Sequence, residues 1–413
     1  MKRTTGQHPG GIIVVPDGHE IFEVTPIQYP ANKKEYGIVT THFDYHSFEE
    51  ALLKLDILGH DGPTMVRLLH NSTGIDPQTV PINDPKVMAL FLGTSSLDIK
   101  DPQYRFTDGS YGVPEFGTPI ARGMLNDTHP KRIGDLVRLS GLAHGTDVWS
   151  GNAQDLIKKG IATMGEVIAT RDDIMTYLIE KGLPKAEAFN IMERVRKGKV
   201  AGGKVKEWPE WSQDMRDHGV PEWYIGSCEK IKYMFPRGHA AAYVIMSCRI
   251  AYFKIYYPAH FYAARCTTKV EDFNWDVVRG GIRMVESRMD EIDQYLEEAP
   301  PGKTVTKEKN EKTLLEIIYE MLARGYEFEA PSFEWSAADH FTVHDNRVVV
   351  PLNGLEGIGT SAARSIMEAY AERPFETIED IQVRGKANKT AIEALRAIGL
   401  LDGMDESNQL SFF

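Results

Sequence analysis

The sequence predicts an α+β fold that is mostly helical. Residues 1–60 alternate short apolar runs with turn signals such as PDGHE, which is typical of short strands, and GGIIVVP is expected to be a short buried strand. From about residue 63 to 290 the apolar residues recur with helical periodicity, as in DDIMTYLIEKG. The Pro- and Lys-containing stretch 297–311 is the best linker candidate by composition. Two small helical units, 352–371 and 378–400, follow it.

Composition and charge exclude several classes of protein. The 413 residues suffice for two to four domains, and 42% hydrophobic with 26% charged residues is ordinary for a globular protein. The net charge of -12 argues against a general polyanion binder, so a nucleic-acid role requires locally basic patches. The longest apolar run is interrupted by Arg249 well short of a membrane span, and no signal peptide is visible. Three cysteines without metal-ligand spacing indicate a reduced, cytoplasmic protein.

The C-terminal units carry the pattern of a helix-hairpin-helix motif. In LNGLEGIGTSAARSIMEAY, a Gly-Ile-Gly turn at residues 357–359 lies between two helical patterns. Glycines permit a tight turn that aims backbone N–H groups at a DNA phosphate, next to the positive end of the following helix. We expect Ile358 to pack into the core. An ordinary helix turn remains an alternative, but the second unit adds bases at the matching turn: Arg384, Lys386 and Lys389.

A basic turn precedes the helical run HAAAYVIMSCRIAYFK. Lys230, Lys232, Arg237 and His239 lie within ten residues, and cations before a helix N-terminus suit a triphosphate. Tyr243 lies one turn after His239 on the same helix face, so the two rings could line one pocket. From this stretch alone, a solvated basic turn before a packed helix is the slightly favoured interpretation.

Asp56 lies in the apolar, strand-like run LLKLDILG. An unpaired carboxylate there is costly to desolvate, so it needs a cation or a metal. Lys54 or a nearby arginine could pair with it, or Asp56 could cap the following turn, and one aspartate does not make a two-metal site. THFDYH contains a less favoured candidate for a ligand cluster, because at strand spacing its His42, Asp44 and His46 would share one face.

Five longer stretches are too specific to coincide by chance. They are RTTGQHPGGIIVVP, THFDYHSFEEALLKLDILGHD, SGLAHGTDVWSGNAQDLI, VPEWYIGSCEKIKYMFPRGHAAAYVIMSCRIAYFK and NQLSFF. In this order, across nearly the whole chain, they resemble the C-terminal part of PolC, the Gram-positive-type DNA polymerase III α subunit of the C-family. The resemblance implies a partial polymerase palm of the nucleotidyltransferase β type, followed by helical fingers and a tandem helix-hairpin-helix domain.

The resemblance divides the chain into four regions. Residues 1–75 are the C-terminal half of the palm, 76–296 the fingers, 297–402 the duplex-binding region with tandem hairpins, and 403–413 a flexible clamp-binding tail. The family palm holds two Mg²⁺ ions with three aspartates, and Asp56 matches the third, as catalytic residue and metal ligand. The other two belong to an Asp-x-Asp pair, which occurs nowhere in this chain. We therefore expect a fragment, a truncated gene or half of a split polymerase, inactive alone.

The resemblance also implies which side chains meet the substrates. In the whole enzyme the primer 3′-hydroxyl attacks the α-phosphate of a dNTP, with one metal at the nucleophile and one at the leaving pyrophosphate. The residues expected near the nucleotide are Lys230, Lys232, Arg237, His239, Tyr243, Ser140, His144, Thr146, Arg196 and Lys199. Those expected at the palm floor are Arg3 and His8, and those expected on DNA are Gly357, Ile358, Gly359, Arg384, Lys386 and Lys389.

Two departures from the family pattern affect the fingers. The loop VAGGKVKEWPEW, residues 200–211, is longer than the pattern predicts, and its Gly/Lys-rich composition indicates mobility. Gly238 replaces the usual alanine before His239, which is expected to loosen the start of the helix.

The last residues, NQLSFF, resemble the Gln-Leu-Ser-Leu-Phe peptide by which this family binds the ring-shaped sliding clamp. The expected clamp contacts are Gln409, Leu410, Phe412 and Phe413, with Phe412 in place of the usual leucine. The preceding LDGMDES is expected to be a flexible acidic leash. The alternative is a tail that folds back on the hairpin domain.

The expected partners are primer–template DNA, dNTP, the sliding clamp and an upstream polymerase half or the rest of the replisome, with no membrane partner. The alternative function is a non-catalytic DNA- and clamp-binding module that kept the fingers and hairpins. A helix-hairpin-helix repair enzyme is a weaker alternative, because it needs a catalytic lysine or aspartate beside the hairpin and none is visible.

Overall fold

A computed structural model describes most of the chain, namely residues 7–8, 10–57, 59–300 and 302–407. The chain forms two compact units, which divide between Asp61 and Gly62. None of the described helices is long and apolar enough to cross a membrane.

The first unit consists of short strands joined by turns and single-turn helices. Strand β1 (Gly11–Val14) pairs antiparallel with β4 (Leu53–Asp56), and β2 (Ile27–Gln28) pairs antiparallel with β3 (Thr40–Thr41). The strands predicted at GGIIVVP and LLKLDILG are therefore confirmed.

One face of the β1–β4 pair is apolar and exposed. Ile12 lies opposite Leu55 and Val14 opposite Leu53, and residues directly opposite each other share a face of the sheet. Ile12 is 52% exposed and Leu53 is 61% exposed, and the other two side chains are exposed as well. The expectation that GGIIVVP forms a buried strand is wrong, because a strand forms there without being covered.

The second unit is mainly helical, as the apolar periodicity predicts. Its helices are α1 (Asp61–Thr73), α2 (Pro85–Leu90), α3 (Pro119–Thr128), α4 (Ile133–His144), α5 (Gln154–Lys158), α6 (Arg171–Glu180), α7 (Lys185–Arg196), α8 (Trp208–Asp217), α9 (Glu222–Lys230), α10 (Arg237–Tyr256), α11 (Pro258–Thr267), α12 (Trp275–Val278), α13 (Ile282–Glu298), α14 (Thr306–Ala323), α15 (Thr360–Glu372), α16 (Ile378–Val383) and α17 (Lys389–Ala397). A small sheet contains β5 (Phe328–Glu329), β6 (Thr342–His344) and β7 (Arg347–Val349), with β7 in the centre.

Three clusters of buried apolar side chains hold the second unit together. The first runs from α2 to α10 and includes Leu136 and Val244. The second joins α10, α11, α13, α14 and the small sheet, and includes Phe253 and Tyr319. The third lies among α15, α16 and α17 and includes Ile366. Helix α10 contributes to the first two clusters, so it fixes their relative position.

The predicted linker at 297–311 is the turn of a packed helix pair. Helix α13 ends at Glu298, α14 begins at Thr306, and the two helices pack against each other. Met289 and Leu315 are buried in the same cluster. The prediction of a linker there is wrong, because both helices bury their apolar faces in one core.

A buried polar network anchors α10. The Lys254 ammonium donates to the carbonyl oxygens of Gly109 and Tyr111 and to the Glu320 carboxylate, and both charged side chains are fully buried. The Tyr262 hydroxyl donates to the same carboxylate. Burial lowers the pKa of Lys254 to about 8, against the opposing effect of Glu320. This network ties the turn before residue 112 to α10.

Candidate functional site

Helices α4 and α10 pack against each other and bring two histidines together. The ring of His144, at the end of α4, lies 5.8 Å from the ring of His239, in the first turn of α10. The Tyr243 ring, one turn further along α10, lies 4.5 Å from His239 and 6.1 Å from His144. The prediction that His239 and Tyr243 share a helix face is confirmed.

The segment 230–236 lies between two other segments that the sequence singled out. Its Tyr233 accepts a hydrogen bond from the Thr146 amide at 2.9 Å, and its Met234 amide donates to the Arg196 carbonyl at 3.2 Å. Gly198 has φ +66, and a Cβ there would lie 2.4 Å from the Lys232 carbonyl oxygen, so this close approach requires glycine. The fold therefore joins SGLAHGTD, VRKGK and KIKYMFPRGH, although they are far apart in sequence.

Aromatic rings continue the cluster toward the surface. Phe235 stacks on His239 with 4.9 Å between the ring centroids, and Tyr233 meets Phe235 edge-on at 5.2 Å. Tyr233 is 44% exposed. Such rings offer a flat surface to a nucleobase or sugar, because stacking needs no sequence-specific hydrogen bonds.

A carboxylate that the sequence reading missed completes this cluster. Oε2 of Glu115 lies 3.2 Å from Nε2 of His144, and the Glu115 side chain is only 8% exposed. Glu115 has φ +67, in a turn preceded by Gly112 with φ +74. The one sequence signal was a carboxylate inside the Gly/Pro turn GVPEFG, far from the other motifs.

Ser140 is 1% exposed, so its side chain is buried and cannot contact a nucleotide directly. Its carbonyl oxygen lies 2.7 Å from Nδ1 of His144, and its hydroxyl donates to Glu115 at 3.5 Å. Ser140 therefore contacts His144 and Glu115, and it is not itself part of the exposed surface.

Most of the predicted triphosphate cations are engaged within the chain. Lys232 is 2.8 Å from the Asp147 carboxylate, whose hydrogen bond raises the pKa of Lys232. The Arg237 guanidinium pairs with Asp173, and its backbone amide donates to Asp172. Two further predicted cations are also bound, Lys230 to the Gly151 carbonyl and Arg196 to Glu193.

Lys199 differs from these four cations. Its ammonium makes no hydrogen bond or ion pair with any residue in the described part of the chain. A phosphate would have to compete with Asp147 for the Lys232 side chain and with Asp173 for the Arg237 side chain.

The two departures noted in the fingers leave the local structure intact. Residues 200–203 form hydrogen-bonded turns with Val200 buried, and α8 begins at Trp208. A Cβ at Gly238 would meet no atom within 4 Å, and α10 begins one residue earlier, at Arg237. The helix therefore forms from Arg237 onward with glycine at position 238, and an alanine would also fit there.

Asp56 lies at the end of β4, on the surface of the first unit. Its Oδ1 is 3.3 Å from Lys54 Nζ and 4.0 Å from His8 Nε2, and its side chain is 45% exposed. The expectation that the Asp56 carboxylate is costly to desolvate is wrong, because the strand is exposed. Lys54 pairs with this carboxylate. Arg3, the other residue predicted at the palm floor, lies outside the described residues.

Asp56 fits one oxygen ligand of a Mg²⁺ ion, since exposed carboxylates are the donors that this ion prefers. A two-metal site needs further carboxylates. No group of three or more His, Cys, Asp or Glu that could hold a metal occurs among the described residues.

The ligand cluster considered in THFDYH is not formed. His42 Nδ1 bonds the Gln28 side chain at 2.8 Å, and His46 Nδ1 bonds Glu49 at 2.8 Å, which raises the pKa of His46. Asp44 accepts a hydrogen bond from the His46 amide. The His42 side chain bonds back to β2, and those of Asp44 and His46 serve one local turn, so this hypothesis is wrong.

The first C-terminal hairpin has an open helix N-terminus. Ile358 is 3% exposed, which confirms that it packs into the core. Gly357 has φ +91, and a Cβ there would lie 2.9 Å from Thr390 Cγ2. Gly359 precedes α15, and no side chain among the described residues caps that helix. The N–H groups of the first turn of α15 can therefore donate hydrogen bonds to a phosphate.

The second hairpin differs from the first in its cap and its bases. The Asn388 side chain accepts from the Ala391 amide at 2.8 Å and so caps α17. Arg384 donates to Asp380 at 2.7 Å and to the Arg373 carbonyl at 2.7 Å, so its guanidinium stabilises its own domain. The remaining predicted bases are exposed, Lys386 and Lys389.

The described part of the predicted tail is docked on the hairpin domain. The Ile378 amide donates to the Asp405 carbonyl at 3.0 Å, and the Glu379 amide to the Glu406 carbonyl at 3.0 Å. Arg396 also pairs with the Glu406 carboxylate at 2.9 Å. The prediction of a flexible leash is wrong up to Glu406, because these bonds cap α16. The predicted clamp residues, Gln409, Leu410, Phe412 and Phe413, lie outside the described residues.

Three family models match successive parts of the chain. They are the bacterial DNA polymerase III alpha NTPase domain at residues 1–59, the bacterial DNA polymerase III alpha subunit finger domain at 63–219, and a helix-hairpin-helix motif at 325–410.

Several curated proteins named DNA polymerase III PolC-type are similar to the chain over its whole length. The protein of Clostridium perfringens is 49% identical over 414 residues, that of Bacillus subtilis 49% over 413, and that of Thermotoga petrophila 46% over 413. All of this chain is covered in each case, but only 28%, 28% and 29% of the respective relative. The chain thus spans less than a third of the length of these relatives.

Proposed function

The chain belongs to the PolC-type DNA polymerase III family and corresponds to a C-terminal part of its members, and from this premise we propose that it is the nucleotide- and duplex-binding portion of a replicative DNA-directed DNA polymerase. The chain would act in the bacterial cytoplasm on primer–template DNA and dNTP. The reaction is attack of the primer 3′-hydroxyl on the α-phosphate of the dNTP.

The convergence of three fingers segments carries this proposal. The ring cluster formed by His144, Tyr233, Phe235, His239 and Tyr243 assembles from residues about a hundred positions apart and presents exposed aromatic surface. We assign this ring cluster to the sugar and base of the incoming dNTP.

The cations that flank the ring cluster suit the triphosphate. Lys199 and Lys232 lie on either side of the close contact at Gly198. Asp147 pairs with Lys232 and Asp173 with Arg237, and a triphosphate of higher charge density would displace these carboxylates.

Asp56 is the proposed metal ligand of the palm. Mg²⁺ supplies Lewis-acid stabilisation of the attacking and leaving oxygens. This chain offers Asp56 as one ligand for it, and Lys54 pairs with the same carboxylate. The exposed face of Ile12, Val14, Leu53 and Leu55 supports a completing palm half, because a soluble sheet rarely leaves such a face uncovered.

The C-terminal region would hold the duplex and the clamp. We assign the amides at the start of α15, with Lys386 and Lys389, to DNA phosphates without sequence preference. We assign residues 409–413 to the sliding clamp, by their likeness to the family peptide.

Nucleotide binding by the purified chain tests the fingers assignment. Mg²⁺–dNTP titrated into the chain, followed by calorimetry or Trp and Tyr fluorescence, should show binding that Tyr243→Ala weakens about tenfold or more, the cost of about one lost stacking contact. Tyr36→Ala, an exposed ring of the first unit, is the matched control and should leave the affinity unchanged.

Absence of nucleotide binding, with the chain folded and duplex binding retained, would contradict the polymerase assignment. That outcome would instead support the non-catalytic DNA- and clamp-binding module.

A further inference from the structure

Two irregular segments shape the exposed side of the ring cluster. The first, residues 145–151, follows α4. Asp147 has φ +57 there, and the helical turn near its end is broken by non-helical backbone at Gly151, with φ +69. The second, residues 231–236, joins α9 to α10 and forms no helix or strand beyond one isolated bridge. Since neither segment has a regular run of backbone hydrogen bonds, its shape depends on contacts with its neighbours.

Three contacts near the surface join the first segment to the second and to the end of α9. They are the Thr146 amide with the Tyr233 carbonyl at 2.9 Å, Asp147 with Lys232 at 2.8 Å, and the Gly151 carbonyl with Lys230 at 2.9 Å. The Lys232 side chain is 67% exposed, and ion pairs between exposed groups contribute little. These contacts alone therefore fix the two segments only weakly.

A buried pair, Asn152 and Ser227, makes the fourth contact. Asn152 is 2% exposed and Ser227 is 4% exposed. The Ser227 hydroxyl donates to Asn152 Oδ1 at 2.7 Å, and Asn152 Nδ2 donates to the carbonyl oxygens of Asp147 at 3.0 Å and Ser227 at 3.4 Å. A single amide thus binds the first segment and the last turn of α9 at once. Buried hydrogen bonds of this kind hold their partners in one arrangement, because an unpaired polar group there is costly.

The position of the first segment is passed on to the rings. Thr146, which bonds Tyr233, is the neighbour of Asp147. A Cβ at Gly145 would lie 3.0 Å from the Tyr233 carbonyl oxygen, so the two backbones are in close contact. Tyr233 in turn meets Phe235 edge-on at 5.2 Å, and Phe235 stacks on the ring of His239. A shift of the Asp147 carbonyl would therefore displace the exposed rings.

We propose that Asn152 is a positioning residue of the nucleotide site, which anchors residues 145–151 to the end of α9 and so presents the rings of Tyr233 and Phe235 to the sugar and base of a nucleoside triphosphate. This inference rests on the proposed function of the ring cluster. Asn152 is buried and touches no nucleotide itself. It orders the two irregular segments before the nucleotide arrives, and binding then loses less conformational entropy.

A buried apolar pair in place of the polar pair tests this. In the double variant Asn152→Leu, Ser227→Ala no buried side chain is left without a hydrogen-bond partner, so the melting temperature should fall little. The affinity for Mg²⁺–dNTP, measured by calorimetry, should fall about fivefold or more, the order of one lost hydrogen bond. Hydrogen exchange followed by mass spectrometry should become faster in residues 145–151 and 231–236 and stay unchanged in residues 352–400.

Ser336→Ala is the matched control. Ser336 is also a buried hydroxyl residue, 7% exposed, and it donates to the Val350 carbonyl at 2.7 Å, beside the small sheet. Its loss should lower the melting temperature without changing the affinity for Mg²⁺–dNTP. If Ser336→Ala weakens nucleotide binding as much as the double variant does, the effect reflects stability alone, and the positioning role is overturned.

The wild-type chain separates this inference from the proposed function. Absence of Mg²⁺–dNTP binding by the folded wild-type chain overturns the nucleotide site and this inference with it. Binding by the wild-type chain together with unchanged affinity in the double variant overturns the positioning role only. If the double variant fails to fold, Ser227→Ala alone decides, because it removes one of the bonds to Asn152. It should weaken nucleotide binding and speed exchange in residues 145–151, and unchanged affinity would again overturn the role.

Discussion

Nζ of Lys254 lies 2.7 Å from Oε1 of Glu320, and neither side chain is accessible to solvent. The pair joins α10 to α14 through the middle of the second core. Glu320 also accepts a hydrogen bond from Tyr262, whose hydroxyl in turn accepts one from Arg324. The helix that carries His239 and Tyr243 is therefore held by a charged network, and not by apolar packing alone.

Removing one partner of this pair should be far more damaging than removing both. Glu320→Ala leaves Lys254 buried without its carboxylate, which we expect to cost about 3–5 kcal/mol of unfolding free energy. The double variant Lys254→Met, Glu320→Leu should cost much less, because no charge remains unpaired. Urea unfolding of both variants measures this. Equal losses in the two would contradict a strongly coupled pair.

The same lysine predicts a rise of stability with pH. Because burial lowers the pKa of Lys254 to about 8 from 10.5, the folded chain binds fewer protons than the unfolded chain between these values. Stability therefore increases as pH rises through this window, and the gain is lost as pH falls through the folded value. The free energy of unfolding of the wild-type chain should rise relative to that of Lys254→Met between about pH 8 and about pH 10.5. A constant difference would contradict the lowered pKa.

The bases of the second hairpin should separate into binding and structural residues. Lys386→Ala with Lys389→Ala should lower the salt dependence of duplex binding by about 1.8 log units per tenfold salt, at about 0.9 per phosphate contact. Arg384→Ala should instead destabilise the domain, because its guanidinium bonds Asp380 and the Arg373 carbonyl. Fluorescence anisotropy across salt concentrations, with melting temperatures beside it, distinguishes them. A large affinity loss in Arg384→Ala at unchanged stability would reverse this division.

Two deletions should separate clamp binding by residues 409–413 from the stabilising contacts that Asp405 and Glu406 make with α16. Removing 408–413 should abolish binding to the sliding clamp while leaving duplex binding and the melting temperature unchanged. Removing 404–413 should also destabilise α16 by about 0.5–2 kcal/mol, because the carbonyls of Asp405 and Glu406 cap it.

The family peptide itself offers a matched variant. Phe412→Leu should strengthen clamp binding, because it restores the residue that the family pattern has there. Clamp binding that survives the shorter deletion would contradict the tail assignment.

Local patterns in the sequence predicted most elements but not their surroundings. Periodicity identified the strand at Leu53–Asp56 and the helix carrying His239, since these depend on neighbours along the chain. Burial depends on what covers an element, and so GGIIVVP was wrongly expected to be buried.

Contacts between residues that are far apart in the sequence could not be predicted from local patterns. Glu115 meets His144 across 29 positions, and nothing in either motif indicates the other. Arg384 was assigned to DNA from its place in a basic turn, whereas the fold uses its guanidinium on the neighbouring helix end. The pairing of Asp56 with Lys54 is one of the alternatives that the sequence leaves open, because the two residues are near each other on one strand.

Primer extension with a completed palm tests the central claim most directly. The chain would be mixed with the upstream part of a PolC-type relative that carries the Asp-x-Asp pair, and Mg²⁺-dependent dNTP incorporation on primed DNA measured. We predict no incorporation by the chain alone, incorporation by the mixture, and loss of that activity in Asp56→Asn with duplex binding retained. Incorporation by the chain alone, or by the mixture containing Asp56→Asn, would contradict the account.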